Sequence, residues 1–197
     1  MKKKLLKNKC CGFYLLYFLN RLHPIADILM DVTANPNTTK AEAVQYIKAC
    51  KCLRLQLSKV DQVTKSTNFL KKLYDFFSKT KKSDIKIAVC EAGANFLSPL
   101  GAYDYKGGID YKDWLEILKK LHLFSMKYTK KAKYQLAAYP FISTLMCLSN
   151  QKTFLESFWP HMEALFRFLP KDKTYKLMAL DCIIHVLGFF MKLFIEG

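Results

Sequence analysis

The stretch TKAEAVQYIKACKCLRL, residues 39–55, decides the fold class. Thr39 followed three residues later by Glu42 is a capping box, in which the hydroxyl accepts from a new helix's third N–H and the carboxylate reaches back to the cap. Behind it Ala43, Val44, Ile47, Ala49, Cys50 and Leu53 recur at the spacing of one helical face, so an amphipathic helix is expected from Lys40 to Leu55.

The same grammar recurs downstream. Asp61 opens a helix to about Phe77, with Val63, Thr67, Leu70, Leu73, Tyr74 and Phe77 on one face and Lys65, Lys72 and Lys79 opposite. Ser83 is expected to cap Asp84 to Leu97, whose Ile85, Ala88, Val89, Ala92 and Phe96 form a narrow face of small residues suited to close packing. The longest loop, Ser98 to Gly108, carries Pro99, Gly101, Gly107 and Gly108. Asp110 then opens a helix with Trp114, Leu115, Leu118, Leu121 and Ser125 inward and Lys112, Lys119, Lys120 and Lys127 outward.

The cluster Lys130 to Lys133 separates this helix from Tyr134 to Leu148, in which Pro140 removes one hydrogen bond and is expected to kink the axis. Asn150 starts the next helix, and Pro160, best tolerated at a first helical position, is expected to begin a separate segment to Phe168. Pro170 stops it. Asp172 caps a final helix that is apolar on most of its circumference through Leu177, Leu180, Ile183, Ile184, Val186, Leu187, Phe189 and Phe190, the pattern of a helix buried on two sides.

These starts stand roughly 20 to 27 residues apart, so helix pairs repeat on the length scale of HEAT and armadillo units. The fold expected is all-α, a HEAT/armadillo-like helical-repeat solenoid of antiparallel helix pairs over residues 36–197; the competing reading is an irregular helical bundle. Composition agrees with the class, because only 7 glycines and 6 prolines punctuate 197 residues. With 51% hydrophobic residues, a chain of this length buries a core without disulfide or metal staples.

Residues 1–35 form a basic and apolar N-terminal segment with one or two short helices expected. Its first part, Met1 to Leu19, has the shape of a signal peptide: five lysines by position 9, then the apolar run Cys10 to Leu19. That run is too short to span a bilayer, and no small-residue cleavage site follows. Leu177 to Ile195 contains Asp181, His185 and Lys192, each costly at a bilayer centre, so a buried core helix is the reading there.

Lys and Arg total 32 against 16 Asp and Glu, a net charge of +16, and only Arg21, Arg54 and Arg167 are arginines. Lysine supplies diffuse attraction rather than bidentate base readout, so an acidic partner is expected and sequence-specific DNA binding disfavoured. Lys71, Lys72, Lys119, Lys120, Lys127, Lys130, Lys131 and Lys133 lie near helix ends or on polar faces and form a candidate basic ridge. A kinase or its cofactor, tubulin tails, phospholipid headgroups and RNA backbone all fit the charge; the bland alternative is a solvated face that keeps the array soluble.

No GxSxG, HExxH, GxxxxGK[ST] or GxGxxG occurs, so nothing supports the nucleophile, zinc or phosphate sites those patterns build. Neither catalytic residues nor a cofactor or metal is expected. Seven cysteines (Cys10, Cys11, Cys50, Cys52, Cys90, Cys147 and Cys182) lack a CxxC pair and read as reduced, buried thiols of a cytosolic protein. Cys50 and Cys52, two apart on a helix, point to different faces. His23, His122, His161 and His185 are scattered singly, and Asp181 and His185, four apart, are expected to satisfy each other.

The run Tyr46-Ile-Lys-Ala-Cys-Lys-Cys-Leu-Arg-Leu55, then Phe69-Leu70 and Ser83-Asp84-Ile85-Lys86, resembles the N-terminal helical region of the Furry cell-morphogenesis proteins. Leu136-Ala-Ala-Tyr-Pro140, Cys147-Leu-Ser149, Gln151-Lys152, Phe154-Leu155, Trp159 and Lys171-Asp172-Lys173 follow that family's order and spacing. The resemblance covers roughly residues 40 to 192 and rests on their ordered succession. It implies a non-enzymatic HEAT/armadillo-like scaffold of cell morphogenesis and polarised growth, in the cytoplasm, at the cell cortex or on the cytoskeleton. The partners it implies are an NDR-type kinase bound to Mob and, for some members, microtubules. The rival readings are a membrane-associated basic protein anchored by residues 1–19 and a sequence-independent RNA-backbone binder. Because the final helix lacks a polar outer face, self-association through it, or a C-terminal partner, is expected as well.

Overall fold

Among the described residues, the capping groups at Thr39, Asn150 and Asp172 are found at work and one other is not; the helix expected to open at Asp61 already begins at Val60, and Asp110 lies outside the described residues. In the computed structural model, which describes residues 31, 35, 37–50, 60–98 and 112–195, Thr39 N donates to Glu42 Oε2 at 2.9 Å and Glu42 N donates to Thr39 Oγ1 at 3.3 Å. Asn150 Oδ1 accepts from Thr153 N at 2.8 Å, and Asp172 Oδ1 from Thr174 N and Tyr175 N at 2.9 and 3.2 Å. The exception is Ser83, which is itself the first helical residue. Lys82 holds the cap position, no side chain caps that helix, and Ser83 Oγ donates to Asp84 Oδ1 instead.

The helices described are α1 (Lys40–Cys50), α2 (Val60–Lys79), α3 (Ser83–Leu97), α4 (Lys112–Thr129), α5 (Ala132–Cys147), α6 (Gln151–Phe166) and α7 (Lys173–Ile195). Among the described residues there is no strand. Residues 1–30, with the apolar N-terminal run, and residues 51–59 and 99–111 lie outside the described residues, as do Cys10, Cys11, Cys52 and His23.

Packing runs between alternate helices. α1 lies on α3, α3 on α5 and α5 on α7, while α2 lies on α4; α4 and α6 each also pack on α5. The inward residues of α2 and α4 are those the periodicity predicts: Leu70, Leu73, Phe77, Trp114, Leu118 and Leu121 are almost wholly buried. Two apolar clusters result. The first joins α1 through α5, and the second joins α5, α6 and α7. Helix α5 divides them, giving Ala137, Phe141 and Leu145 to one and Ala138, Ile142 and Met146 to the other.

It is therefore α5, and not the final helix, that is buried on two sides. The expectation for α7 is overturned: Met178, Ala179, Cys182 and Val186 pack inward, but Leu177, Leu180, Ile184, Leu187 and Met191 are exposed, Ile184 by 68%. Hydrophobicity all round made the two helices look alike in sequence, and among the described residues only α5 of the two has neighbours on both flanks.

Pro160 does not divide α6. The helix runs unbroken from Gln151 to Phe166 because Pro160 and Glu156, whose carbonyl loses its partner, are both exposed to water. Pro140 likewise lies within a continuous α5. Close approach of α3 to α5 is set by Gly93: a Cβ there would stand 2.4 Å from the Phe141 ring.

Candidate functional site

Three inter-helix turns come together along one edge of the molecule, and rings join them. From the α2–α3 turn to the α4–α5 turn the link is Phe77 against Tyr128, 5.4 Å between centroids, and Tyr128 against Tyr134 at 5.0 Å. From there to the α6–α7 turn, Tyr139 meets Phe168 at 4.9 Å, Phe168 meets Tyr175 at 5.5 Å, and Tyr175 OH donates to Ala132 O at 3.4 Å. Lys86 Nζ donates to Tyr128 OH at 2.6 Å, tying α3 to α4 on the same edge.

This edge is where the positive charge gathers. Residues 79–86, 127–133 and 167–176 contain twelve of the 32 lysines and arginines but only Asp84 and Asp172 of the 16 carboxylates. Neither carboxylate faces outward unpaired: Asp84 is bridged to Lys40, which holds its carboxyl below the usual range, and Asp172 caps α7. Lys79, Lys81, Lys82, Lys127, Lys130, Lys131, Lys133, Lys171 and Lys173 are all exposed. Several ammonium groups rest on the rings beneath, Lys127 5.2 Å from the Phe124 centroid, Lys133 5.0 Å from Tyr134, and Lys171 4.5 Å from Phe168.

The eight lysines of the sequence-derived ridge do not all lie here. Lys127, Lys130, Lys131 and Lys133 belong to the edge. Lys71 and Lys120 stand on the neighbouring faces of α2 and α4 around a groove shared with Asp75, Asp113 and Glu116. There Lys71 Nζ donates to Asp113 at 2.8 Å and Lys120 bridges Glu116 at 2.6 Å, and each lysine holds its partner's carboxyl below the ordinary range. Lys72 bridges Asp31 at 3.2 Å, and Lys119 lines a separate cleft with Lys112 and His122. The ridge thus splits into a mixed-sign face and a nearly acid-free edge. Sequence reasoning left out Lys81, Lys82, Lys171 and Lys173, although each pair sits just before or at the start of α3 or α7, as Lys130 and Lys131 do before α5.

A second concavity, of about 600 Å³, lies between α3, α5 and α7 and is lined by Asn95, Pro140, Thr144, Asp181, Cys182 and His185 among others. Asp181 and His185 do not satisfy each other as expected: Asp181 is exposed, and His185 Nε2 is buried with no hydrogen-bond partner among the described residues. Burial holds the His185 imidazole below its ordinary pKa. In the core beside it Ser143 Oγ donates to Tyr139 O at 2.9 Å and stands 2.8 Å from His161 Nε2, so with its one proton committed it accepts from the Nε2–H tautomer. Burial pushes His161 down to about 4, which keeps it neutral.

Cys50, Cys90, Cys147 and Cys182 are buried free thiols, as their apolar settings predict, and burial raises them to about 11, 12, 12 and 11. Among the described residues no group of His, Cys, Asp and Glu is placed to hold a metal, and no helix is long and apolar enough to cross a membrane.

Comparison with known proteins agrees with the resemblance read from the sequence. The cell polarity protein mor2 of Schizosaccharomyces pombe is 27% identical over 146 residues, which is 73% of this chain but 6% of that protein. The chain therefore spans a small fraction of the curated relative it matches. No solved structure matches it. A family model described as cell morphogenesis N-terminal matches residues 18–196, nearly the whole length, and the chain accordingly belongs to the Furry-type cell-morphogenesis family.

Proposed function

We propose that the chain is a non-enzymatic helical-repeat scaffold of cell morphogenesis, a HEAT/armadillo-like solenoid whose basic surface docks an acidic protein partner. The observation that carries this reading is the family match over residues 18–196. The packing of α1 on α3, α3 on α5 and α5 on α7 supports the solenoid, since stacked helix pairs bring alternate helices into one layer. Each pair covers the face its predecessor leaves open. A polarity role fits the relative's name.

By the same resemblance the partner is an NDR-type kinase bound to Mob, with microtubules a further one, and the working place is the cytoplasm at the cell cortex or cytoskeleton. Buried, neutral His161 and four buried thiols of raised pKa suit core positions rather than chemistry on a substrate. We also propose that the exposed apolar stripe of α7 is covered by a second copy of the chain. Depleting the protein in its own organism tests the morphogenesis role: polarised cells are expected to lose their growth axis and regain it on re-expression. Unaltered shape after depletion contradicts the proposal.

A further inference from the structure

We infer that the edge formed by the three stacked turns is a docking track for an extended acidic peptide segment, rich in Asp and Glu, that runs across all three turns. The inference does not require the kinase to be that partner. It rests on where charge, backbone and aromatic rings meet.

Charge comes first. Nine exposed lysines stand on the three turns, and the only two carboxylates of these segments are already engaged with Lys40 and with the start of α7. Like charges at such density repel one another and weaken the folded state, so a surface of this kind gains most from an anionic ligand. The face formed by Lys71, Lys72 and Lys120 has no such need, because Asp113, Asp31 and Glu116 pair with it.

Backbone adds to the field. Helices α3, α5 and α7 all begin at this edge, and for α3 and α5 the cap positions are Lys82 and Lys131, which make no side-chain cap hydrogen bond. A lysine cannot accept from the first-turn N–H groups, so two helix starts, each a region of positive potential, lie beside the lysines uncapped by any side chain. Where α7 has Asp172 as its own anionic cap, an incoming carboxylate would serve α3 and α5 in the same way.

Geometry then selects the ligand. Neighbouring helices pack about 8–10 Å apart, so three turns make a row about 20 Å long, which six or seven residues of extended chain at roughly 3.3 Å each would follow. The edge is a line; within 79–86, 127–133 and 167–176 no large apolar residue is exposed, and Met126, Phe166 and Leu177, which border these segments, offer little apolar surface to seat in a bilayer. Tyr128, Tyr134, Phe168 and Tyr175 are engaged with one another or with lysines and are buried or half-buried, so none offers a face to a nucleic-acid base. The one arginine, Arg167, is paired with Glu163.

The test is fluorescence anisotropy of the full chain with a labelled dodecamer of glutamate, against a glutamine dodecamer, anionic phosphoinositide vesicles and polyuridine. Saturable binding of the glutamate peptide that weakens as salt rises is expected. Reversal of Lys82, Lys130, Lys131 and Lys173 to Glu should raise Kd by about tenfold or more, while reversal of Lys48, Lys65, Lys119 and Lys152, equal in charge but off the edge, should raise it by less than about threefold. Helical circular dichroism unchanged in both variants keeps the comparison one of binding. Equal losses in the two variants would mean diffuse attraction and overturn the track, as would vesicle or polyuridine binding at concentrations where the glutamate peptide stays free.

Discussion

Gly93 is the residue on which the α3–α5 contact turns. Replacing it with alanine improves helix propensity by about 1 kcal/mol, yet the new methyl group would meet the fully buried Phe141 ring at distances no real Cβ tolerates. Overpacking of this kind costs about 1–3 kcal/mol, so Gly93→Ala is expected to lower the urea midpoint despite the propensity gain. Adding Phe141→Leu to Gly93→Ala should cost less than Phe141→Leu alone; equal costs in both backgrounds would show that the two residues do not press on each other.

His161 gives a prediction about acid. Burial lowers its pKa to about 4 in the folded chain from about 6.5 when unfolded, so between those values the unfolded state binds the extra proton. Stability linked to His161 is complete above pH 6.5 and is lost as the pH falls toward 4, by roughly 3 kcal/mol at the end of that window. Burial also lowers His122 and His185, which add to the trend in the same direction. In His161→Gln the amide can still donate to Ser143 but does not titrate. The difference in urea stability between pH 7 and 4.5 should therefore shrink in that variant, and an unchanged difference would show that His161 is not the group responsible.

Among the described helices, α7 carries the longest exposed apolar stripe. Leu177, Leu180, Ile184, Leu187 and Met191 follow one another at alternating intervals of three and four, a seam about 21 Å long that another helix could pack against. Lys176 and Asp181, both exposed, flank it five residues apart. In a parallel pair of α7 helices these two stand opposite each other across the seam, which favours a second copy as the occupant. Sedimentation equilibrium at micromolar concentration should show dimers, strengthened by added salt because each copy carries a net charge of +16. Ile184→Asp, at a position that is 68% exposed and leaves the monomer fold alone, should abolish them. A monomer at all concentrations and salts contradicts this closure.

The helices whose two faces differ in polarity were legible before any coordinates. Thr39 with Glu42, Asn150 and Asp172 mark helix starts by hydrogen-bonding chemistry that is local in the chain, and the lysine face of α2 opposes its apolar face within one sequence window. What could not be read depends on neighbours distant in sequence. Both α5 and α7 are apolar almost all round, and which one is covered on both flanks follows from the contacts of α5 with α3 and α7. Pro160 is a helix breaker only where its lost hydrogen bond is buried, and exposure is a tertiary property.

At the scale of the whole molecule the same distinction governs the charged surface. Lys130 and Lys131 were visible as a cluster, but Lys81, Lys82, Lys171 and Lys173 join them only because stacking brings three turns to one edge. Lys71 and Lys120, visible as part of the same sequence pattern, instead pair with carboxylates on the α2–α4 face. The molecule therefore offers two unlike surfaces, a nearly acid-free edge and an apolar end helix, with opposite responses to salt. That opposition separates them experimentally. Peptide binding on the edge should weaken with salt under conditions in which α7 pairing strengthens.

The measurement that bears most directly on the scaffold account is size-exclusion chromatography with light scattering of the chain mixed with a purified Mob-bound NDR-type kinase. A scaffold that docks its partner on the basic edge should give a saturable complex of defined stoichiometry, lost when Lys82, Lys130, Lys131 and Lys173 are reversed to glutamate. Separate elution of folded, helical chain and kinase complex at micromolar concentrations would contradict it.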